Sequence, residues 1–376
     1  MISSALIPQP LAKLPWRLLF IVAAIAAMGL ATLYSAAGGS PRPWALRQGI
    51  VLLVFLCIAL AMSGIKESSI KSAAFPLYAA VLLMLILVEM LGFVGKGAQR
   101  WLDVGPVRLQ PSEFMKPIVV LVLARFYALL PPADTRRWRA IWPAALLLGA
   151  PVLLVMMQPD LGTALIILFI GATMMFVAGL PWWLFAGAAG VVAIAAPTAY
   201  AFMHDYQRRR VLIFLDPESD PLGSGYHLSQ SKIAIGSGGL FGKGYLQGSQ
   251  SHLDYLPEGH TDFVFSAMVE EWGFLGGLIL ILAFGMVIRW GMQVSMRART
   301  RFSQLAAAGL TSAIFFYVAI NLMMVMGLAP VVGVPLPLVS YGGSAVMTIM
   351  LSLGLLMALE RQNRTASGPG RARIPA

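Results

Sequence analysis

Asp262 stands where a polar, turn-rich stretch, Pro257-Glu258-Gly259-His260-Thr261, runs into a long apolar segment. The stretch thus delivers a carboxylate to the lip where a polar turn meets an apolar segment. With a helix beginning near Asp262, the residues Asp262, Ser266, Glu270, Gly273 and Gly277 recur at spacings of four, four, three and four. They then share one stripe. Hydrocarbon does not tolerate such a stripe, so it faces protein or a water-filled cavity. A structural alternative has Asp262 capping the helix and Glu270 paired with a buried Arg or Lys.

Other charges stand at comparable places. In Gln110-Pro111-Ser112-Glu113, Ser112 reads as a helix N-cap, with Glu113 and Lys116 three apart on one face. They form a local ion pair, or Lys116 joins Arg100 in holding an anion. Asp160, in Gln158-Pro159-Asp160-Leu161-Gly162-Thr163, reads as the N-cap of the next helix and adds a carboxylate to the same surface. Arg208, Arg209 and Arg210 form a compact basic run suited to a phosphate or lipid pyrophosphate, or to anionic lipid headgroups. The stretch Gly236 to Gly248 is not a phosphate loop. Five positions before Gly242 stands Ser237, and Lys243 is followed by Gly244. Its glycines suit close backbone approach and sharp turns. Glu89, Glu270 and Glu271 lie within apolar runs, where acids commonly serve transport or a proton path.

The elements that must position these groups follow from composition. The chain has 376 residues, 59% hydrophobic and 11% charged, with mean hydropathy +0.79. No soluble domain hides so much apolar side chain, so the expected fold is an all-α polytopic membrane protein. Ten spans are expected, at about 18–38, 46–65, 73–92, 113–130, 140–157, 161–179, 183–203, 263–289, 304–327 and 343–360. Arg and Lys concentrate in alternate loops, which places both termini in the cytoplasm and 95–116, 204–261 and 329–344 on the outer face. Residues 1–360 form one transmembrane domain, with a large extracytoplasmic loop at about 204–261. Leu228 to Ile235 in that loop has a weak amphipathic pattern and is expected on the membrane surface. The basic tail 361–376 is expected to be disordered. The segment Val334 to Ser344, broken by Pro and Gly, must be buried in protein or line a cavity. The net charge of +11 belongs to the loops and does not argue for nucleic acid. Cys57 is the one cysteine and the four histidines lack metal-binding spacing.

The residues leave two classes open. One is an enzyme with an outer-face carboxylate and basic groups for a phosphorylated lipid. The other is a transporter or flippase using intramembrane acids. Clustering of Arg100, Lys116, Arg208 to Arg210 and Asp262 on one face favours the enzyme, because transporter sites lie near the midplane.

The chain resembles the SEDS family of polytopic peptidoglycan glycosyltransferases. The resemblance covers all ten spans. It rests on GAQRWLDVGPVRLQPSEFMK, QPDLGT, the long segment from YQRRR to PEGHTDF, and PLPLVSYGGSAVMT. Within the family, GSGGLFGKG and GSQSHLDYLPEGHTDF are similar to the elongation member rather than the division member. The resemblance implies polymerisation of lipid II into glycan strands at the outer face of the bacterial cytoplasmic membrane, with a lipid II flippase as the alternative. It puts the family's essential acid on Asp262, its Glu-Lys pair on Glu113 and Lys116, and its tight-turn acid on Asp160. Arg100, Arg208, Arg210, Lys243, His260 and Ser340 join Glu113, Lys116 and Asp160 as expected substrate-binding residues. An α-linked donor giving a β-1,4 bond requires inversion, so one carboxylate base suffices. The leaving pyrophosphate needs positive charge, from Arg, Lys or a divalent cation. Mg²⁺ or Mn²⁺ near Asp262 is the expected cofactor, though no ligand set is visible. The implied partners are a class B penicillin-binding protein, MreC and MreD, besides lipid II, the undecaprenyl-pyrophosphate-linked glycan and membrane lipids.

Overall fold

Each of the ten expected spans is a helix in the computed structural model. The structure describes residues 14–365 apart from 92, 96, 97, 105, 106, 203–207, 209–211, 215, 217–219, 221, 222, 254 and 257. The span helices are α1 (Trp16–Ala36), α2 (Ala45–Met62), α3 (Glu67–Leu91), α4 (Pro111–Leu129), α5 (Trp138–Met157), α6 (Leu161–Val177) and α7 (Trp182–Phe202). Two short helices follow, α8 (Ser224–Ser237) and α9 (Ser249–His252). Then come α10 (Val264–Met296), α11 (Arg301–Val325) and α12 (Gly343–Thr365). Among the described residues seven helices are long and apolar enough to cross a membrane, with α6 and 182–195 of α7 as shorter apolar stretches. The all-α polytopic membrane fold is therefore observed.

Three departures have local causes. The expected loop after α3 is a small antiparallel ribbon of β1 (Phe93–Gly95), β2 (Ala98–Val104) and β3 (Val107–Leu109), with β2 between the other two. Helix α12 continues through 361–365, so the tail's first residues are helical rather than disordered. Gln362 accepts from Glu67 N at 2.7 Å and donates to Ile65 O at 2.9 Å. Residues 366–376 lie outside the described residues. Finally, α8 is not simply laid on a surface. It packs against α10, with Leu228, Ser231 and Ala234 buried and Ile233 exposed.

Helix α4 is buried along most of its length and packs against α3, α5, α6, α11 and α12. Any charge it carries must therefore find its partner inside the protein. The extended segment 329–342 threads between helices at two glycines. A Cβ on Gly29 would lie 2.6 Å from Val339 Cα, and one on Gly162 would lie 2.6 Å from Val332 O. Val334, Leu336, Leu338, Val339 and Ser340 are buried, as non-helical backbone at this depth requires.

Helix α10 is broken at Gly273, where φ is 69° and ψ −171°. A break leaves carbonyls of the first half and N–H groups of the second without partners. The glycine-rich loop supplies them. Lys243 N and Gly244 N donate to Glu270 O and Glu271 O at 2.9 and 3.1 Å, while Phe274 N and Leu275 N donate to Gly239 O and Leu240 O at 2.8 and 3.2 Å. Only glycine fits this approach: a Cβ on Gly242 (φ 82°) would stand 2.0 Å from Glu271 O. Gly242→Val is expected to destabilise the protein by about 3 kcal/mol or more, from backbone strain and clash together. A thermal melt of the purified protein equal to wild type would contradict this.

Candidate active site

Asp262 lies in the turn just before α10, one residue ahead of the N-cap position taken by Phe263. It does not occupy the cap position. Its side chain is half-buried, and a Cβ on Gly333 (φ 69°) would lie 3.5 Å from its Oδ2. The backbone is fixed from α11. Asn321 Nδ2 donates to Asp262 O at 2.9 Å and to Val334 O at 2.7 Å, tying the turn to the buried segment. Neighbouring His260 stacks on Trp44, centroids 4.2 Å apart, and its carbonyl accepts from Tyr341 N at 2.9 Å.

The rest of the Asp262 stripe faces protein. Ser266 shares a hydrogen bond with Ser231 at 2.6 Å. Glu270 is fully buried and holds Lys243 Nζ at 2.6 Å, accepting also from Gln250 N at 3.0 Å. Lys243 thus faces α10 and donates to Ser249 as well, at 2.7 Å. Lys243→Ala is expected to destabilise by about 2–3 kcal/mol, less than the 3–5 of a fully buried pair, because Lys243 is 28% exposed. A chemical or thermal unfolding shift near zero would rule out the pair as a clamp.

Asp160 caps α6, accepting from Thr163 N at 3.2 Å. Gln110 Nε2 donates to its other oxygen at 3.2 Å. Arg100, on β2, donates to Gln158 O at 3.1 Å and to Pro159 O, and lies 4.0 Å from Asp160. The ribbon is thereby fastened to the tight turn between α5 and α6. One buried segment joins the two acids: Val332 touches the first turn of α6 at Gly162, and Gly333 touches Asp262.

Glu113 and Lys116 form a separate, sealed cluster. Lys116 is 1% exposed. It donates to Glu113 at 2.6 Å and to the Tyr317 hydroxyl. Tyr317 donates to the second carboxylate oxygen, to which Thr348 also donates, at 2.8 Å. Three helices, α4, α11 and α12, meet through one carboxylate. Ser112, expected to cap α4, is buried with its hydroxyl unbonded among the described residues. Gln110 holds the N-cap position and Pro111 the first turn, where a missing N–H costs nothing.

Ser340 is also internal, its hydroxyl accepting from Leu336 N at 2.8 Å. Gln48 on α2 donates to Ser340 O at 2.8 Å and accepts from Gly342 N at 3.3 Å. Arg208 is half-buried; Arg210 lies outside the described residues. Gln48, Tyr317, Asn321 and Thr348 were not anticipated. A polar side chain inside an apolar stretch was the signal available for Asn321 and Thr348.

Among the described residues no three His, Cys, Asp or Glu gather as a metal site. Asp262 offers one carboxylate, so a Mg²⁺ or Mn²⁺ there would draw its other ligands from water and substrate phosphates.

The chain matches the FtsW, RodA and SpoVE cell cycle protein family over residues 14–365, and so belongs to that family, SEDS. Within it, the chain sides with the elongation members. It is 46% identical over 315 residues, 83% of this chain and 84% of the relative, to the Escherichia coli K12 protein named peptidoglycan glycosyltransferase MrdB. It is 37% identical over 371 residues, 96% and 93% of the two chains, to a Halorhodospira halophila protein named probable peptidoglycan glycosyltransferase FtsW. The crystal structure of Thermus thermophilus rod shape determining protein RodA superposes with TM-score 0.71 at 32% identity, over 93% of this chain and 97% of the other. A chain solved to describe how a peptidoglycan synthase complex coordinates polymerization and crosslinking superposes with TM-score 0.80 at 37% identity, over 93% and 98%.

Proposed function

We propose that the protein is a peptidoglycan glycosyltransferase of the elongation type, joining lipid II units into glycan strands. The observation that carries this reading is the placement of Asp262, half-buried in a turn ahead of a membrane helix and pinned through its backbone by Asn321. Relatives named for the same activity add support. In the reaction, Asp262 takes the proton from the GlcNAc 4-hydroxyl of lipid II. The oxygen attacks C1 of the MurNAc at the end of the growing chain from the face opposite the pyrophosphate. The C1–O bond breaks, and undecaprenyl pyrophosphate leaves with the electron pair. The leaving anion meets positive charge from Arg208 and Arg210. Arg100 shapes the outer surface through the turn it holds, and Glu113 with Lys116 fixes the α4–α11–α12 seam rather than touching sugar. His260 and Ser340 act in the same way, through Trp44, Tyr341 and Leu336. A divalent cation at the pyrophosphate would supply further charge neutralisation.

The chain works in the bacterial cytoplasmic membrane with both termini inside, a placement supported by the loop charge asymmetry. Its partner is a class B penicillin-binding protein that crosslinks the strands, with MreC and MreD in the wider assembly. The synthase complex among its structural relatives supports the first of these. The flippase alternative loses ground at Glu270, which is already held by Lys243 and Gln250 N. Purified protein with its transpeptidase partner, given labelled lipid II, is expected to yield long glycan ladders on a gel. Lipid II crossing proteoliposome bilayers with no ladder formed would overturn the reading.

A further inference from the structure

The 33 residues of α10 rise about 1.5 Å each, so its C-terminal end lies across the membrane from Asp262. There the start of α1 and the ends of α10 and α12 wall a cavity of about 850 Å³. Three guanidinium groups line it, from Arg17, Arg297 and Arg364. Against them stands one carboxylate, Glu360, already paired with Arg364 at 2.6 Å. Arg17 and Arg297 make no ion pair among the described residues. Residues 1–13 and 366–376, which flank the cavity in sequence, contain no Asp or Glu. The excess positive charge therefore finds no side-chain carboxylate in either flanking segment.

We propose that this cavity binds the phosphate headgroup of an anionic phospholipid. Arginine forks match phosphate oxygens in pairs, and basic pockets between membrane helices take acidic headgroups. Two further features select a lipid over free phosphate. Trp16 and Trp290 line the cavity, and tryptophan favours the headgroup level. Leu18 and Val294, both buried, supply apolar wall for the glycerol and first acyl carbons. Occupancy of this site does not depend on the chemistry at Asp262.

The test is native mass spectrometry of the full chain in detergent. It is titrated separately with phosphatidylglycerol, with phosphatidylcholine of the same acyl chains, and with inorganic phosphate. Wild type is expected to retain phosphatidylglycerol preferentially. Arg17→Gln with Arg297→Gln is expected to weaken that binding about tenfold or more, the effect of losing a charge-assisted hydrogen bond to a charged group. Arg136→Gln with Arg139→Gln, in the basic loop at the same end of the bundle, is expected to leave it unchanged. Arg17→Lys with Arg297→Lys keeps charge without the fork and is expected to fall between, and it carries the test if the Gln variant does not purify. Equal loss in the Arg136/Arg139 variant, equal retention of phosphatidylcholine, or uptake of inorganic phosphate without lipid selectivity would each overturn the proposal. Lipid retention with no glycan ladder would leave this site standing and sink the transferase instead.

Discussion

Asp262→Asn is expected to remove glycan polymerisation, lowering the rate by about 10²–10⁴-fold, the usual worth of a general base. Asn keeps the size and hydrogen-bonding shape of Asp but cannot accept the proton of the attacking hydroxyl. The turn should survive, because Asn321 holds it through the Asp262 carbonyl rather than the side chain. Thermal stability and expression are therefore expected to match wild type while the labelled lipid II ladder disappears. Ladders within tenfold of wild type would take the base role from Asp262 and move attention to Asp160, the other acid joined to the same buried segment. The companion change Asn321→Leu should behave differently. It frees two carbonyls, those of Asp262 and Val334, and is expected to lower both stability and rate.

Lys116→Met is expected to cost about 3–5 kcal/mol, the penalty for leaving one member of a buried ion pair uncompensated. Glu113 would remain buried, with only Tyr317 and Thr348 to satisfy it. Adding Glu113→Leu is expected to recover part of the loss, since an apolar pair of similar volume is tolerated where half an ion pair is not. The check is the thermal midpoint of purified protein: several degrees down for the single change, partly restored in the double. A single change without effect would mean that Lys116 is not confined between Glu113 and Tyr317 in solution. A double change no better than the single would mean that Tyr317 and Thr348 need the carboxylate as much as Lys116 does.

How much of this was legible beforehand depends on the range of the physical signal. The ten spans are legible because an apolar run of about 20 residues needs no knowledge of its partners. Asp160 is legible as a cap because its partner Thr163 is three residues away. Glu270 could be expected to pair, yet Lys243, 27 residues earlier across a chain of glycine turns, could not be singled out from other cations. The ribbon at 93–109 was hidden because its outer strands are only three residues long each, too short to show periodicity. Arg100 looked like an anion-binding residue because its neutral partners, the carbonyls of Gln158 and Pro159, carry no sequence signature. Asn321 and Tyr317 are two polar side chains in the apolar second half of α11. Their importance comes from where α11 places them, against the Asp262 turn and against Glu113.

The splice at Gly273 bears on which length changes the chain can tolerate. Across the break, 243–244 donate to 270–271 while 239–240 accept from 274–275, so one short loop serves both half-helices. One residue inserted between Leu240 and Lys243 would shift one half of the pairing against the other, stranding two carbonyls or two N–H groups inside the bundle. The insertion-tolerant positions of the outer face should therefore lie outside that short stretch. Family members that differ in loop length should keep the count between Gly239 and Gly244 constant, even where every side chain between them has changed.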